Sequence, residues 1–314
     1  MGDSSAAREA TYGAWTAVAH ATFEFETVTM VVDPSETARA RRMLSADIDI
    51  VETPLDDFWM RDFGPTFVID DETGALGGID WIFNAWGQGA DCERDALIAE
   101  RVIGEVAATR IPSLLVNEGG GIHVDGEGTV LLTETVQLDP RRNPHADRAR
   151  VEAELARTIG AERAIWLPRG LTRDYEEFGT NGHVDIVAAF ASPGRVLLHE
   201  QQDPAHPDHA VSQEIRAVLE ASTDARGRAI EVMALPAPAT LRDDEGFVDW
   251  SYVNHSVVNG GVVVCGFGEP EADARAREVL AEAYPGREVV TVDARPIFAR
   301  GGGIHCITQQ QPRA

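Results

Sequence analysis

Lysine is absent from this sequence of 314 residues, and all 27 basic side chains are arginine. Without lysine the chain cannot form a pyridoxal Schiff base, use a lysine nucleophile or bind phosphate through a Walker-type lysine. Acidic residues number 52, so the formal net charge at pH 7 is −25. Such a field repels nucleic acid and raises the encounter rate of cations. We therefore expect no nucleic-acid partner and favour a cationic substrate, although a compositional bias or a need for solubility explains the charge equally well.

The chain is also poor in cysteine and in long hydrophobic runs. Its three cysteines, Cys92, Cys265 and Cys306, provide no disulfide framework, which favours a reducing, cytoplasmic setting. No run approaches the roughly 18–20 apolar residues that a membrane-spanning helix needs, so we expect no membrane partner. The first residues lack the basic-then-apolar order of a secretory signal.

One pentapeptide, Gly-Gly-Gly-Ile-His, occurs twice, at Gly119–His123 and at Gly301–His305. The first copy follows Glu118, and the second is followed directly by Cys306. The repeat indicates an internal duplication in which two equivalent turns carry different chemistry. Because glycine tolerates positive φ and close approach, we expect these turns to take φ > 0 and to pass near a ligand. A carboxylate on one turn and a thiol on the other then belong to one active site.

Helical patterns recur at even spacing, and each is followed by an apolar run, a polar turn and another apolar strand. This regular repeat predicts a single α/β domain of five similar units, with the polar turns gathered in one place. The predicted helices are Pro34–Arg41, Cys92–Thr109, Ala146–Ile159, Asp208–Leu219 and Pro270–Ala283.

The five polar turns contain a thiol, two histidines and several carboxylates. This combination indicates a cysteine nucleophile with histidine as proton carrier. Carboxylates disfavour a thiolate unless the substrate brings positive charge, and they bind a guanidinium through its paired N–H donors. The pattern thus predicts attack on a guanidinium carbon, loss of ammonia, and hydrolysis of an S-linked intermediate. The residues concerned are Asp62, Glu118, His183, Asp185, Asn254, His305 and Cys306.

Other interpretations of single residues compete with this one. Cys265 and Cys92 are expected to be structural, and His123 and His305 to support the glycine turns rather than to catalyse. A zinc site built from histidine, aspartate and Cys306 is the metal alternative. No pair has compact His-x-x-x-His or Cys-x-x-Cys spacing, so we expect no metal and no other cofactor.

Several sequence blocks closely resemble agmatine deiminases, in the guanidino-group-modifying superfamily that includes bacterial peptidylarginine deiminases. The resemblance extends from about residue 50 to the C-terminus, and its most specific block is the last. It implies a five-bladed α/β propeller with pseudo-fivefold symmetry, the pentein fold. The blocks are Trp59–Phe67, Ile79–Gly87, Glu118–Thr129, Arg142–His145, Trp166–Leu171, Thr180–Asp185 and Gly301–Pro312.

The resemblance also implies an activity and a catalytic set. The expected reaction converts a small cationic guanidino compound, agmatine in the leading case, to N-carbamoylputrescine and ammonia. It implies that Cys306 is the nucleophile that forms an amidino-cysteine, that His183 is the general acid and base, and that Glu118 orients His183.

Substrate contacts are implied in the same way. Asp62 and Asp185 are expected to hold the guanidinium, and Trp59 to line its pocket, where a cation over an indole contributes about 0.5–2 kcal/mol. Asn254, from the fourth turn, is grouped with them as a substrate-binding residue.

Two departures from the family pattern carry expectations of their own. Gly179 stands where family members have a substrate-binding aspartate. The negative charge of that aspartate is expected to be replaced by an acid of the same loop or of the segment near Asp243. The candidates are Glu176, Glu177, Asp243, Asp244 and Glu245. The family's N-terminal segment is expected to be missing from a single catalytic domain that spans residues 1–314.

Three alternatives to an agmatine deiminase remain open. An arginine or peptidylarginine deiminase would need a carboxylate clamp, for which Arg242 is the candidate. An amidinotransferase would use the same cysteine with an amine acceptor, and a degenerate guanidine-binding protein would not be an enzyme. The sequence also leaves open whether the chain forms a homo-oligomer.

Overall fold

The computed structural model of the chain describes residues 4–176 and 179–313. Within these ranges the strands form one two-stranded sheet, β1-β2, and four three-stranded sheets. The three-stranded sheets are β3-β4-β5, β6-β7-β8, β9-β10-β11 and β12-β13-β14. The strands are β1 (Thr29–Val32), β2 (Asp49–Glu52), β3 (Thr66–Ile69), β4 (Leu76–Ile82), β5 (Thr109–Val116), β6 (Ile122–Val124), β7 (Thr129–Thr133), β8 (Arg163–Leu167), β9 (Ala188–Ser192), β10 (Arg195–Glu200), β11 (Glu231–Pro236), β12 (Ser256–Val258), β13 (Gly261–Gly266) and β14 (Glu288–Asp293).

The three-stranded sheets share one topology. Their first two strands are antiparallel and their last two are parallel. A parallel pair needs a crossover connection, and a helix provides it in all five sheets, namely α2, α4, α6, α7 and α8. The helices of the described residues are α1 (Ser5–Phe23), α2 (Thr37–Met43), α3 (Met60–Phe63), α4 (Ile98–Glu105), α5 (Glu134–Gln137), α6 (Arg148–Ile159), α7 (Asp208–Glu220), α8 (Pro270–Ala283) and α9 (Arg295–Phe298).

Helix α6 illustrates how the sequence sets these crossovers. The Asp147 side chain accepts a hydrogen bond from the backbone N–H of Arg150 and caps the N-terminus. Gly160 ends the helix in the left-handed conformation at φ 68°, as predicted. Val151 and Leu155, one turn apart, are buried against the neighbouring sheet and form part of one hydrophobic cluster.

All five predicted helices are present, but three of them, α2, α4 and α6, begin later than predicted, α6 by two residues. Helix α2 begins at Thr37 because the Asp33 carboxylate accepts hydrogen bonds from the N–H and hydroxyl of Ser35, which forms a turn instead. Helix α4 begins at Ile98, after a short 3₁₀ turn. The apolar strand predicted after the fourth polar turn falls on Val257–Val264, but this run forms the hairpin of β12 and β13, which turns at Gly260 with φ 78°.

The repeat also positions the polar turns. In each of the five units the chain leaves the last, parallel strand, which is β2, β5, β8, β11 or β14, and enters a turn-rich segment. Every candidate catalytic residue lies on one of these five segments. The predicted α/β architecture of five similar units is confirmed.

Candidate active site

The five turns bring their polar side chains into one buried cluster. Asp62 comes from the first turn, Glu118 from the second, His183 and Asp185 from the third, Asn254 from the fourth and Cys306 from the fifth. These six side chains are between 0 and 7 % exposed. Burying so many polar groups costs free energy unless each has a partner, so such a cluster is a candidate functional site.

Cys306 lies between two of these residues. The amide of Asn254 donates to its Sγ at 3.2 Å, and Asp185 Oδ2 lies 3.6 Å from the same sulfur. Asn254 is itself fixed, because its Oδ1 accepts from the backbone N–H of His305 at 2.9 Å. Burial, together with the charges of Asp185 and Asp62, raises the pKa of Cys306 well above its ordinary value. Without substrate, the thiol is therefore protonated at neutral pH.

His183 lies between two carboxylates. Its Nε2 is 3.3 Å from Glu118 Oε2, and its Nδ1 is 3.8 Å from Asp62 Oδ1. Burial opposes protonation, but the carboxylates of Asp62 and Glu118 outweigh it and raise the pKa of the imidazole to about 9. The ring is thus a cation at neutral pH, which suits an acid that protonates a leaving group. Its Nδ1 has no hydrogen-bond partner among the described residues.

Glu118 is held in place by a buried arginine. Arg142 Nε donates to both Glu118 oxygens, at 2.9 and 3.1 Å, and both side chains are completely buried. Arg142 also donates to the carbonyl of Thr180 at 2.6 Å and to Asp139 at 3.2 Å. Burial raises the pKa of Glu118, but Arg142 and His183 outweigh it and lower the pKa overall. Glu118 therefore remains a carboxylate.

Asp62 and Asp185 have pKa values that are shifted in opposite directions, although both are mainly carboxylates at neutral pH. Asp62 accepts hydrogen bonds from Trp86 Nε1 at 2.9 Å and from the N–H of Gly120 at 3.1 Å. Burial and the charge of Asp185 raise the pKa of Asp62 to about 6, although His183 lowers it. Asp185 Oδ2 accepts from His305 Nδ1 at 2.6 Å, and its Oδ1 has no partner within the described ranges. Burial raises the pKa of Asp185, but His305 outweighs it, so the net direction is downward.

The repeated glycines are required because the turns pass so close to the reacting groups. A Cβ added to Gly120 would lie 2.5 Å from His183 Nδ1 and 2.8 Å from Asp62 Oδ1. At Gly302 it would lie 3.0 Å from Cys306 Sγ. The prediction of positive φ is wrong for most of these glycines. Gly301 has a φ of 109°, but the φ values of Gly119–Gly121 are not positive. Space, rather than backbone conformation, makes glycine necessary in the first turn.

Trp59 and the nucleophile both lie close to Gly302. A Cβ on Gly302 would be 2.8 Å from Trp59 Cζ3, and Trp59 packs on Phe58 with ring centroids 4.3 Å apart. Trp86 is the tryptophan that donates directly to a site carboxylate. Its motif block carried the family resemblance, which is the signal that could have identified it.

Arg61 and Asp62, adjacent in sequence, do not pair with each other. Arg61 is buried and donates to the carbonyl of His305 at 3.3 Å and to Gln310 Oε1 at 2.8 Å. Its backbone N–H donates to the carbonyl of Cys306 at 3.0 Å. Burial lowers the pKa of Arg61 to about 10, so it remains a cation beside the acidic cluster. Arg61 thus joins the first turn to the fifth.

Cys265, Cys92 and His123, which were expected to have structural roles, lie in different surroundings. Cys265 is fully buried, donates to the carbonyl of Asn254 at 3.0 Å, and has its pKa raised by burial to about 12. Cys92 is half-buried. His123 accepts from the N–H of Phe190 at 3.2 Å, and burial lowers its pKa to about 3. In the described part of the chain no three histidine, cysteine or acidic side chains are arranged to hold a metal ion.

Of the acids expected to replace the family aspartate at Gly179, the four that the structure describes do not line the cavity that contains Cys306. Asp243 and Glu245 pair with Arg173 instead, and Asp244 is exposed. Glu176 lines a neighbouring cavity. Glu177 lies outside the described residues. A side chain at position 179 would itself clash, because an added Cβ would lie 2.1 Å from the carbonyl oxygen of Asp174.

Two acids that the sequence did not single out line the catalytic cavity, namely Asp174 and Asp249. The Asp174 carboxylate accepts from the backbone N–H groups of Thr180, Gly182 and His183 at 2.7, 2.8 and 3.0 Å. Asp174 therefore shapes the turn that presents His183. Both residues lie outside the sequence motifs that contain the other site residues, so no local pattern indicates their carboxylates.

A buried cysteine, an imidazolium paired with glutamate, and two carboxylates at the meeting point of five α/β units define an enzyme that hydrolyses amidine C–N bonds. The family model of Porphyromonas-type peptidyl-arginine deiminase matches residues 3–312, and the chain belongs to this family. The predicted resemblance to agmatine deiminases is confirmed by its relatives. The chain is 57% identical over 303 residues to a Streptomyces coelicolor protein named "Putative agmatine deiminase", covering 96% of this chain and 89% of that protein.

Two further relatives agree. The chain is 41% identical over 324 residues to an agmatine deiminase of Stutzerimonas stutzeri, covering 95% of this chain and 86% of the other. The solved structure of an agmatine deiminase of Enterococcus faecalis superposes with a TM-score of 0.89 at 34% identity, covering 96% of this chain and 87% of that one. The predicted pentein propeller is thereby confirmed. No helix in the described ranges is both long and apolar enough to cross a membrane.

Proposed function

We propose that this chain hydrolyses agmatine to N-carbamoylputrescine and ammonia through a covalent amidino-cysteine. The observation that carries the proposal is one buried cavity lined by Cys306, His183 and Asp185, with Asp62 3.8 Å from His183. A guanidinium there would be held between the carboxylates of Asp62 and Asp185 through paired N–H donors. Its positive charge offsets the carboxylates that keep the Cys306 thiol protonated, so substrate binding favours the thiolate.

The first half of the reaction forms a C–S bond. Binding of the cation releases the Cys306 proton to bulk water, and the resulting thiolate attacks the guanidinium carbon and gives a tetrahedral intermediate. The His183 imidazolium donates its proton to one nitrogen, which leaves as ammonia, and an amidino-cysteine cation remains. Glu118 stabilises the imidazolium before transfer and holds its orientation, and Arg142 fixes Glu118.

The second half reverses these roles. Neutral His183 takes a proton from water, and the hydroxide adds to the amidino carbon. Collapse of this intermediate breaks the C–S bond, releases the ureido product and returns the thiol. His183 keeps the proton it took, so the histidine returns to its imidazolium form and the enzyme is ready for another cycle.

Arginine as a substrate is disfavoured by the lining of the cavity. No arginine is among the described residues that line it. Arg242, the candidate clamp, lies exposed with its guanidinium carbon 3.6 Å from the ring centroid of Phe247. An α-carboxylate would meet three acids in this cavity, Asp174, Asp185 and Asp249, against one cation among the described lining residues, the His183 imidazolium, which costs binding free energy.

Ammonia release from a panel of guanidines tests the proposal. We expect turnover of agmatine well above that of arginine, arginyl peptides and methylguanidine, without any added amine acceptor. The variant Cys306→Ala should show no turnover yet still bind agmatine, and the matched variant Cys92→Ala should retain wild-type activity. Preference for arginine, a requirement for an amine acceptor, or activity in Cys306→Ala would each contradict it.

A further inference from the structure

The catalytic cavity contains more negative charge than a guanidinium needs. A guanidinium carries one positive charge, and Asp62 and Asp185 are both beside the nucleophile to receive it. Asp174 and Asp249 line the same cavity, and the His183 imidazolium is the one cation among its described lining residues that offsets these acids. Charges of one sign in a shared, poorly hydrated space repel each other, so a second cation in the ligand would relieve the repulsion.

Asp174 already uses its hydrogen-bonding capacity within the protein. Its Oδ1 accepts from the N–H of Thr180, and its Oδ2 accepts from the Thr180 hydroxyl at 2.6 Å and from two backbone N–H groups of the same turn. These bonds fix the turn before His183. Asp174 can contribute its charge to a ligand, but its oxygens have little capacity left to accept further donors.

Asp249 is in the opposite situation. It follows β11 on the fourth turn and is half-buried, and its carboxylate accepts a hydrogen bond from its own backbone N–H and is attracted by the charge of Arg173. Burial and the charge of Asp174 nevertheless raise the pKa of Asp249 to about 7. A carboxylate that keeps acceptor capacity, is repelled by a neighbouring carboxylate and lines the catalytic cavity is suited to bind an ammonium group.

Because position 179 has no charged side chain, the carboxylate of Asp249 is more important for binding the end of the substrate. With glycine there, and with no room for a side chain, position 179 itself offers no charge to the end of the substrate. Asp249 comes from a different turn, and it lines the cavity with more acceptor capacity left than Asp174 has.

We propose that Asp249 binds the distal ammonium of an aminoalkylguanidine, and that this contact gives the enzyme its preference for a dicationic substrate over a guanidine with an uncharged chain. The inference rests on the proposed deiminase function. Asp174 supports this contact through its negative charge and by fixing the turn before His183.

The test compares agmatine with butylguanidine, which has the same chain length and no amine. In Asp249→Asn the ratio of kcat/KM for agmatine to that for butylguanidine should fall about 10- to 100-fold, as expected for loss of one charge-assisted contact. Asp244→Asn is the matched control, because Asp244 is exposed, lies on the same segment and lines no part of this cavity. Its ratio should equal that of the wild type.

The binding arm separates this inference from the proposed function. Titration calorimetry of Cys306→Ala with agmatine and butylguanidine measures the preference without turnover, and the double variant with Asp249→Asn should lose it. If the wild type turns over no guanidine but this preference is present and depends on Asp249, the proposed function fails and the inference stands. If Asp249→Asn is folded by circular dichroism and neither ratio changes by more than threefold, the inference is overturned.

Discussion

Cys306 and His183 both have raised pKa values, and these values determine the protonation state of each group at neutral pH. The thiol stays neutral because it is buried beside Asp185 and Asp62. The imidazole stays charged because Asp62 and Glu118 outweigh its burial. The same carboxylates therefore suppress the nucleophile and charge the acid. A cationic substrate removes the first effect, which explains why an acidic site can support thiolate chemistry when that substrate is bound.

Asp62 gives a prediction at the scale of the residue. Its pKa is raised from 3.8 to about 6, and only the carboxylate form attracts a guanidinium. The affinity of Cys306→Ala for butylguanidine should therefore be constant from pH 8 to about 6.5 and should fall as the pH drops through about 6. Butylguanidine avoids any contribution from an amine contact, and the alanine removes the thiol. Titration calorimetry at several pH values measures it.

Asp95 provides the control for this prediction. Its pKa is also raised to about 6, mainly by burial, but it lines no part of the catalytic cavity and accepts from the N–H of Asp56 instead. Asp95→Asn in the alanine background should leave the pH dependence of affinity unchanged. An affinity that is flat between pH 5 and 8 in the parent variant would show that Asp62 does not hold the guanidinium.

How far the sequence predicts the site differs between its residues. Cys306, His183 and Asp185 could be predicted because they follow glycine-rich turns that interrupt apolar strands. Arg142 could not be assigned a role, because its bond to Glu118 joins turns of two different units. Asp249 lies in a segment rich in acids, and only the three-dimensional arrangement distinguishes it from Asp243, which pairs with Arg173 on the surface.

At the scale of the element, the glycine turn after β5 determines how closely the units meet. Gly119 leaves room for the carbonyl of Arg61, which would be 2.3 Å from an added Cβ. Gly120 leaves room for His183 and donates its N–H to Asp62. The pentapeptide repeat correctly predicted close approach, but the approach is to neighbouring turns of the protein. A periodic pattern identifies such a turn without showing what it packs against.

Gly120→Ala should therefore impair catalysis. The methyl group would meet His183 Nδ1 at 2.5 Å, so the imidazole must move. A displacement of about 1 Å in a catalytic group can lower the rate roughly 100-fold, and we expect kcat/KM for agmatine to fall at least that far. Steady-state kinetics on protein with a wild-type near-UV circular dichroism spectrum measures it.

Gly13→Ala is the matched control. Gly13 lies inside α1, and a Cβ there would meet nothing within 4 Å. The change should leave kcat/KM unaltered and stabilise the fold by about 0.5–1 kcal/mol, because alanine loses less backbone entropy in a helix. Wild-type activity in Gly120→Ala would refute the steric explanation of the glycine turn.

The whole molecule consists of five similar α/β units and carries a formal net charge of −25 at pH 7. The units could be predicted from the spacing of the helices, since each crossover needs a helix of its own. The hairpin of β12 and β13 has a sequence signal of its own, because Asn259-Gly260 is a dipeptide typical of two-residue hairpin turns, but the apolar run alone does not reveal it. With no lysine, every interior cation of the chain is an arginine or a histidine.

The stability of the whole molecule should decline as the pH rises from 7 to 9. The pKa of His183 is raised from 6.5 to about 9, so between these values the folded state holds a proton that the unfolded state has lost. Stability falls with rising pH wherever the folded state binds more protons. The raised pKa of Cys265, about 12, acts in the same direction above its unfolded value. Tm should thus be lower at pH 9 than at pH 7, by roughly 2–4 °C for each kcal/mol lost in a large domain.

The variant His183→Gln isolates the cause. It removes the group with the largest titration in this window, so the difference in Tm between pH 7 and pH 9 should shrink, whatever happens to Tm itself. His145→Gln, at an exposed histidine, should leave that difference as it is in the wild type. Buried His123 and His255, with pKa values lowered to about 3 and about 4, oppose this trend only below about pH 6.5, where the unfolded chain takes up their protons. Differential scanning calorimetry at pH 7, 8 and 9 decides the matter: an equal Tm difference in His183→Gln and the wild type would mean that His183 is not held as a cation in the folded protein.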